Sequence, residues 1–221
     1  MQIDVISDTI CPWCYIGKRR LEAALAQRPD IDFNVTYRPF QLNPNLPKGG
    51  MDRLDHLDLK FGGRDAGKKV FDVIAATGRE DGIDFDFSRQ EKVPNTFDSH
   101  RLNHWAETAG VQDEVVEILF RKYFIDGENV GDPAVLLDAA KEAGMDGEVV
   151  ERLLAGDADK ELVEREEMIG RRMGVTGVPC YIIDQKYTLV GAQEPDMLLR
   201  AIDTAAAEAA DASAQATPPA E

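Results

Sequence analysis

Two of the chain's three cysteines, Cys11 and Cys14, stand three positions apart in the run Cys11-Pro12-Trp13-Cys14; the third is Cys180. A pair spaced this way can close a disulfide, supply half of a zinc site or pack as two small apolar side chains. The flanking sequence separates these uses. Residues Gln2 to Ser7 set Ile3 and Val5 between polar neighbours and add Ile6, which reads as a short buried strand. Pro12 suits a first helical position, where its missing N–H would have had no partner. Ile16, Leu21, Ala24 and Leu25 then keep helical spacing until Arg28-Pro29. Cys11 is therefore expected at the mouth of a helix, where unpaired N–H groups and the positive dipole end favour an anion. Thiols so placed have pKa values of about 3.5–7.5 rather than about 8.5. Cys11 as thiolate would attack a disulfide, and Cys14, one turn deeper, would resolve the mixed disulfide.

The zinc reading has one further argument, since His100 and His104 form an i, i+4 pair that could complete a Cys2His2 set. Their separation from the cysteine pair is far longer than a finger allows, and Pro12 and Trp13 suit a helix start. Redox chemistry is the preferred reading and no metal site is expected. His100 and His104 are read as surface or packing residues on the helix around Arg101, Leu102 and Trp105.

A second helix-free motif lies far downstream. Gly174-Val175-Thr176-Gly177-Val178-Pro179 stands just before Cys180-Tyr181-Ile182-Ile183, which reads as a strand. A proline opening a buried strand marks an edge, a turn or a cis bond. It is either a rigid turn or a cis-proline loop facing the cysteines, with the backbone of Val178 free to pair with an extended substrate. The upstream strand, cysteine pair and helix favour the second.

The elements that must position these residues follow from periodicity. Phe33 to Arg38 alternates into a second strand ending at Pro39, parallel to the first through a right-handed crossover. Residues 39–50, rich in Pro and Asn, leave the sheet. From Met51 to Met173 the helical period dominates, in stripes such as Val115, Ile118 and Leu119 or Val135, Leu136 and Ala139, so an all-helical insertion is expected. Tyr187 to Val190 completes a hairpin with the strand at Cys180, and Pro195 opens a last helix through Ala205. The expected division is a discontinuous strand-bearing unit from 1–48 and 174–205, an insertion over 49–173, and a disordered Ala-rich tail over 206–221.

Composition excludes other classes. There are 25 Lys plus Arg against 41 Asp plus Glu, a net charge of −16. Such a chain repels nucleic-acid phosphates and anionic membranes, so neither is an expected partner. No apolar run is long enough to span a bilayer and the first residues do not form a signal peptide, so a cytoplasmic location is expected. Over residues 1–48 six basic residues meet five acidic ones, so the cysteine pair sits in the least acidic stretch. Lys18 and Arg19, a turn beyond Cys14, are expected to add modest attraction for a thiolate.

The strand followed by Ser7-Asp8-Thr9-Ile10-Cys11-Pro12-Trp13-Cys14, then Asn95-Thr96 with Ser99-His100-Arg101-Leu102, then the Val178-Pro179 loop, together resemble the thioredoxin superfamily and within it the DsbA/FrnE-type thiol–disulfide oxidoreductases. The resemblance spans nearly all the chain except the tail. It implies an α/β thioredoxin-like fold with a large all-helical insertion domain, Cys11 as exposed nucleophile, Cys14 as resolving thiol, Pro179 cis, and Val178 and Pro179 at the substrate. Pro12 and Trp13 are expected to tune the redox balance. Cys180, where relatives carry an aromatic or other apolar residue, is either a small buried hydrophobe or an additional redox thiol. The expected activity is disulfide exchange, as reductase or isomerase, with protein or small-molecule thiols and disulfides. No tightly bound cofactor is called for, and glutathione is a candidate co-substrate. Glutathione-dependent isomerases and kappa-type transferases are similar around Asn95-Thr96 and the proline loop but commonly keep one nucleophile, so Cys14 counts against them. A holdase or zinc-binding module is the remaining alternative.

Overall fold

The computed structural model describes residues 1–216. Four strands, β1 (Gln2–Ser7), β2 (Asn34–Pro39), β5 (Cys180–Ile183) and β6 (Tyr187–Val190), form one sheet in the order β2-β1-β5-β6. β1 and β2 run parallel, joined through α1 (Pro12–Leu25), and β5 and β6 are added antiparallel. The hairpin between β5 and β6 turns on Asp184 and Gln185, both at positive φ. This explains why an Asp-Gln-Lys stretch interrupts two alternating runs.

Strand alternation sorts the sheet's residues between two cores. Ile3, Val5, Tyr181 and Ile183 join the large core, which also contains Ile16 of α1 and Leu198 and Ile202 of α9 (Pro195–Ala216). Ile6, Cys180 and Ile182 point the other way, into a smaller core with Phe40 and Val175. α8 (Lys160–Arg172) covers that second face. Glu167 accepts from the Gln41 backbone N–H (3.1 Å) and side chain (2.8 Å), and Arg171 donates to the Gln41 carbonyl (2.7 Å) and lies over the Phe40 ring. A helix assigned by sequence to the insertion thus serves as cover for the sheet.

The insertion carries β3 (Met51–Asp52), α2 (Arg53–Phe61), α3 (Arg64–Glu80), β4 (Lys92–Val93), α4 (Phe97–Ala109), α5 (Gln112–Arg121), a π-helical turn (Lys122–Asp126), α6 (Pro133–Glu142) and α7 (Gly147–Ala155). It is helical as expected apart from the two-residue antiparallel ribbon of β3 and β4, too short to show as an alternating pattern. Tyr15 of α1 stacks on Phe120 with ring centroids 5.0 Å apart and meets Phe85 edge-on, which fixes α1 against the insertion. The outer edge of β2 is closed by a side chain: Gln112 accepts from the Tyr37 N–H (2.8 Å) and donates to the Tyr37 carbonyl (3.1 Å).

The last helix runs on through Ala216, correcting the expectation of a disordered tail from residue 206. Alanine has the highest helix propensity, and Lys186 and Tyr187 at the start of β6 bond Glu208. Residues 217–221, the rest of that predicted tail, lie outside the described residues. Among the described residues no helix is long and apolar enough to cross a membrane.

Candidate functional site

Cys11 is the N-cap residue of α1, with Pro12 in its first turn. The loop from β1 is fixed by short-range bonds, the Cys11 N–H donating to the Asp8 carbonyl and the Cys14 N–H to the Cys11 carbonyl, each at 3.0 Å. The Thr9 and Ser99 hydroxyls, 2.7 Å apart, tie that loop to α4. Asp8 is fully buried; its carboxylate accepts from the Leu42 N–H (2.7 Å) and lies 3.5 Å from His100 Nε2. The motif Asn95 to Leu102 is therefore structural glue around the cysteine loop: Asn95 donates to the Leu46 carbonyl (2.8 Å), and Arg101, entirely buried, donates to Asp98 and to carbonyls of Leu153, Gly156 and Ala158.

The Cys11 thiol points at the Val178 carbonyl, 3.6 Å away, and the Val178-Pro179 peptide bond is cis. Cys14, buried in the first turn of α1, neighbours Cys11 on the inner side. Burial pushes the Cys14 pKa well up and the neighbouring Cys11 sulfur adds to this, while the Ser7 hydroxyl and Asp8 backbone act in the opposite sense. The arrangement favours the protonated form of the inner thiol. All six residues singled out from sequence, Cys11, Pro12, Trp13, Cys14, Val178 and Pro179, meet in this one region.

Two expectations need correction. Cys11 is 3% exposed rather than open on the surface, because helices of the insertion wall off a cavity of about 300 Å³ in front of it. Lys18 and Arg19 do not serve the thiol: Lys18 is buried against Glu22 and Asp113, and Arg19 pairs with Glu22 and Glu117. Glu22 is a neighbour on α1 itself, whereas Asp113 and Glu117 come from α5, a partnership no local pattern reveals. Of the two roles expected for His100, surface or packing, the structure shows packing: it is buried, with its ring 3.2 Å from the Phe40 carbonyl. Cys180 faces the smaller core on the opposite side of the sheet from Cys11 and Cys14, and burial raises its pKa. Among the described residues no three His, Cys, Asp or Glu side chains are grouped to hold a metal ion.

Sequence reading missed Gly17. A Cβ there would press on the Tyr181 hydroxyl and stand 2.8 Å from Pro179 Cγ, so its lack of a side chain lets α1 seat directly on the proline loop. Its signal is a glycine inside a helical pattern three residues after Cys14. Also missed were Arg53, His56 and Lys60, which line the cavity with Cys11.

A sheet of this order, with a cysteine pair opening the helix after its first strand and an X-Pro loop against that pair, defines a thioredoxin-type fold. The chain belongs to the DsbA-like thioredoxin domain family, whose model matches residues 2–203. It is similar to the probable DsbA oxidoreductase SCO1869 from Streptomyces coelicolor, at 31% identity and a TM-score of 0.86, covering 100% of this chain and 93% of that one. Its fold is shared with 2-hydroxychromene-2-carboxylate isomerase (18% identity, TM-score 0.68, covering 96% and 98%). It is shared also with the cytosolic disulfide reductase DsbM from Pseudomonas aeruginosa, solved with GSH (17%, 0.61, 92% and 98%).

Proposed function

We propose that this chain is a cytoplasmic thiol–disulfide oxidoreductase, acting as reductase or isomerase on protein or small-molecule substrates, with glutathione as candidate co-substrate. The observation that carries the reading is the Cys11 thiol at the mouth of α1, with Cys14 one turn behind it and the Val178 carbonyl of the cis Val178-Pro179 loop 3.6 Å in front. Cys11 as thiolate attacks a substrate disulfide, forming a mixed disulfide and releasing one substrate thiolate. Cys14 then loses its proton, helped by the Ser7 hydroxyl and the Asp8 backbone, and attacks the Cys11 sulfur. The second substrate thiolate leaves, the protein dithiol is oxidised by two electrons, and the substrate is reduced by the same two. The Val178 carbonyl beside the reacting sulfur offers an extended substrate a backbone partner, and Pro12 and Trp13 shape the approach. DsbM lends support to the reductase direction, the location and the co-substrate.

The second reading, a glutathione-dependent isomerase, draws on the small-molecule size of the cavity and the shared fold of the chromene-carboxylate isomerase. Turnover of insulin disulfides with dithiothreitol separates the two. Cys11→Ser should reduce the rate to the uncatalysed background, and Cys14→Ser should stall with substrate trapped on Cys11. Equal rates for the native protein and Cys11→Ser would refute the redox reading, and full activity in Cys14→Ser would favour single-nucleophile chemistry.

A further inference from the structure

The cavity that Cys11 lines receives Arg53, His56 and Lys60 from one face of α2, at positions i, i+3 and i+7, and no Asp or Glu lines it. In a chain with 41 acidic residues that is an unusual stretch of wall. Other buried cations here have carboxylates: Lys18 has Glu22 and Asp113, Arg20 has Asp81, Arg101 has Asp98, and Lys122 has Asp138. Arg53 is 9% exposed, yet among the described residues no carboxylate pairs with it. Its guanidinium donates to the neutral amide of Gln90 and lies over the rings of Phe71 (4.6 Å) and Phe87 (5.8 Å). Gln90 is itself held by the Tyr123 carbonyl (3.0 Å), so the guanidinium is fixed in place. Lys60, exposed at the mouth, likewise has no carboxylate within ion-pair distance. A buried guanidinium without a counter-charge is costly, and the cost is recovered when an anion arrives. Burial, followed by the charges of Lys60 and Arg53, pushes the His56 pKa down, as an uncompensated positive field requires. Phe61, Phe71, Tyr123 and Phe124 complete an apolar, flat-sided wall.

We infer that the Arg53–Lys60 face of α2 is an anion subsite of the thiol cavity, taking the carboxylate of a small aromatic thiol or disulfide whose sulfur meets Cys11. This rests on the redox reading of Cys11 proposed above. The cavity's volume, about 300 Å³, suits a small molecule rather than a folded protein loop.

Two aromatic disulfides test it, dianionic dithiobis(nitrobenzoate) and neutral dithiodipyridine. With either, Cys11 thiolate attacks the S–S bond and expels one aromatic thiolate. Cys14 thiolate then attacks Cys11 and expels the second, so the protein loses two electrons and the reagent gains them. The readout is the ratio of second-order rate constants, dianion over neutral, for the reduced full-length protein. Lys60→Gln and Arg53→Gln should each lower that ratio about tenfold or more, as expected for losing one charge-assisted contact. A ratio unchanged within about twofold in Lys60→Gln, whose exposed side chain makes misfolding no escape, overturns the subsite. Failure of the native protein to react with the neutral reagent at Cys11 overturns the underlying redox reading instead.

Discussion

Replacing Gly17 by Ala separates ordinary helix energetics from the contact that seats α1 on the proline loop. In an exposed helix interior, Gly→Ala stabilises by about 0.8–1.0 kcal/mol through propensity alone. At Gly17 the added methyl would press on the Tyr181 hydroxyl and stand 2.8 Å from Pro179 Cγ, both on elements fixed by the sheet. Overpacking of this kind costs about 1–3 kcal/mol, so the net effect should be a loss of about 1 kcal/mol, opposite in sign to the propensity. Tyr181→Phe gives the matching half of a double-mutant cycle. The Tyr181 hydroxyl is buried and finds no hydrogen-bond partner among the described atoms, so its removal should not destabilise and should leave Gly17→Ala less harmful by about 0.5–1 kcal/mol. Urea unfolding of the four proteins under reducing conditions supplies the numbers. In parallel, the insulin assay should slow in Gly17→Ala, because α1 carries Cys11 and its displacement moves the sulfur from Val178. A stabilised Gly17→Ala, or one equally harmful with and without the Tyr181 hydroxyl, would refute the argument.

Two further expectations concern pH and the opposite face of the sheet. Burial raises the pKa of both Cys14 and Cys180, so above about pH 8.5 the unfolded chain has lost protons that the folded chain retains. Stability is therefore full below that pH and falls as pH climbs, each buried thiol contributing its share. Cys180→Ala should remove one such share of the slope in urea titrations of the reduced protein, and an unchanged slope would contradict it. Although burial opposes ionisation of Glu167, bonds from Gln41 and the charge of Arg171 hold its carboxyl below the usual range. Its contribution is thus present above about pH 4.3 and lost as pH falls through the lowered value. Glu167→Ala, which leaves the buried Gln41 N–H unmatched, should cost about 2–4 kcal/mol at neutral pH by chemical denaturation.

Legibility from sequence tracked how local the cause is. β5 and β6 were readable to the residue because alternation, a turn and a leading proline all lie within eleven positions. Cys11 and Cys14 were readable because a strand, a proline at the first helical turn and two thiols are contiguous. The neutralisation of Lys18 was not, since Asp113 arrives from a helix 95 residues away. Nor were Arg53, His56 and Lys60, which in sequence look like the solvated stripe of an ordinary helix and become a cavity wall only when α2 closes over Cys11. Gly17 was visible as a letter, but its meaning depends on Tyr181 crossing beneath it.

The Gln112 amide on the margin of β2 has consequences beyond the monomer. By imitating a neighbouring peptide unit it occupies the Tyr37 N–H and carbonyl, the groups a foreign strand would need at that point of the β2 margin, while β6 forms the sheet's other margin. Strand-by-strand growth of a fibril needs both margins of each sheet, so a side chain seated in the ladder of one margin works against open-ended stacking and favours, at most, closed two-fold pairing through the other.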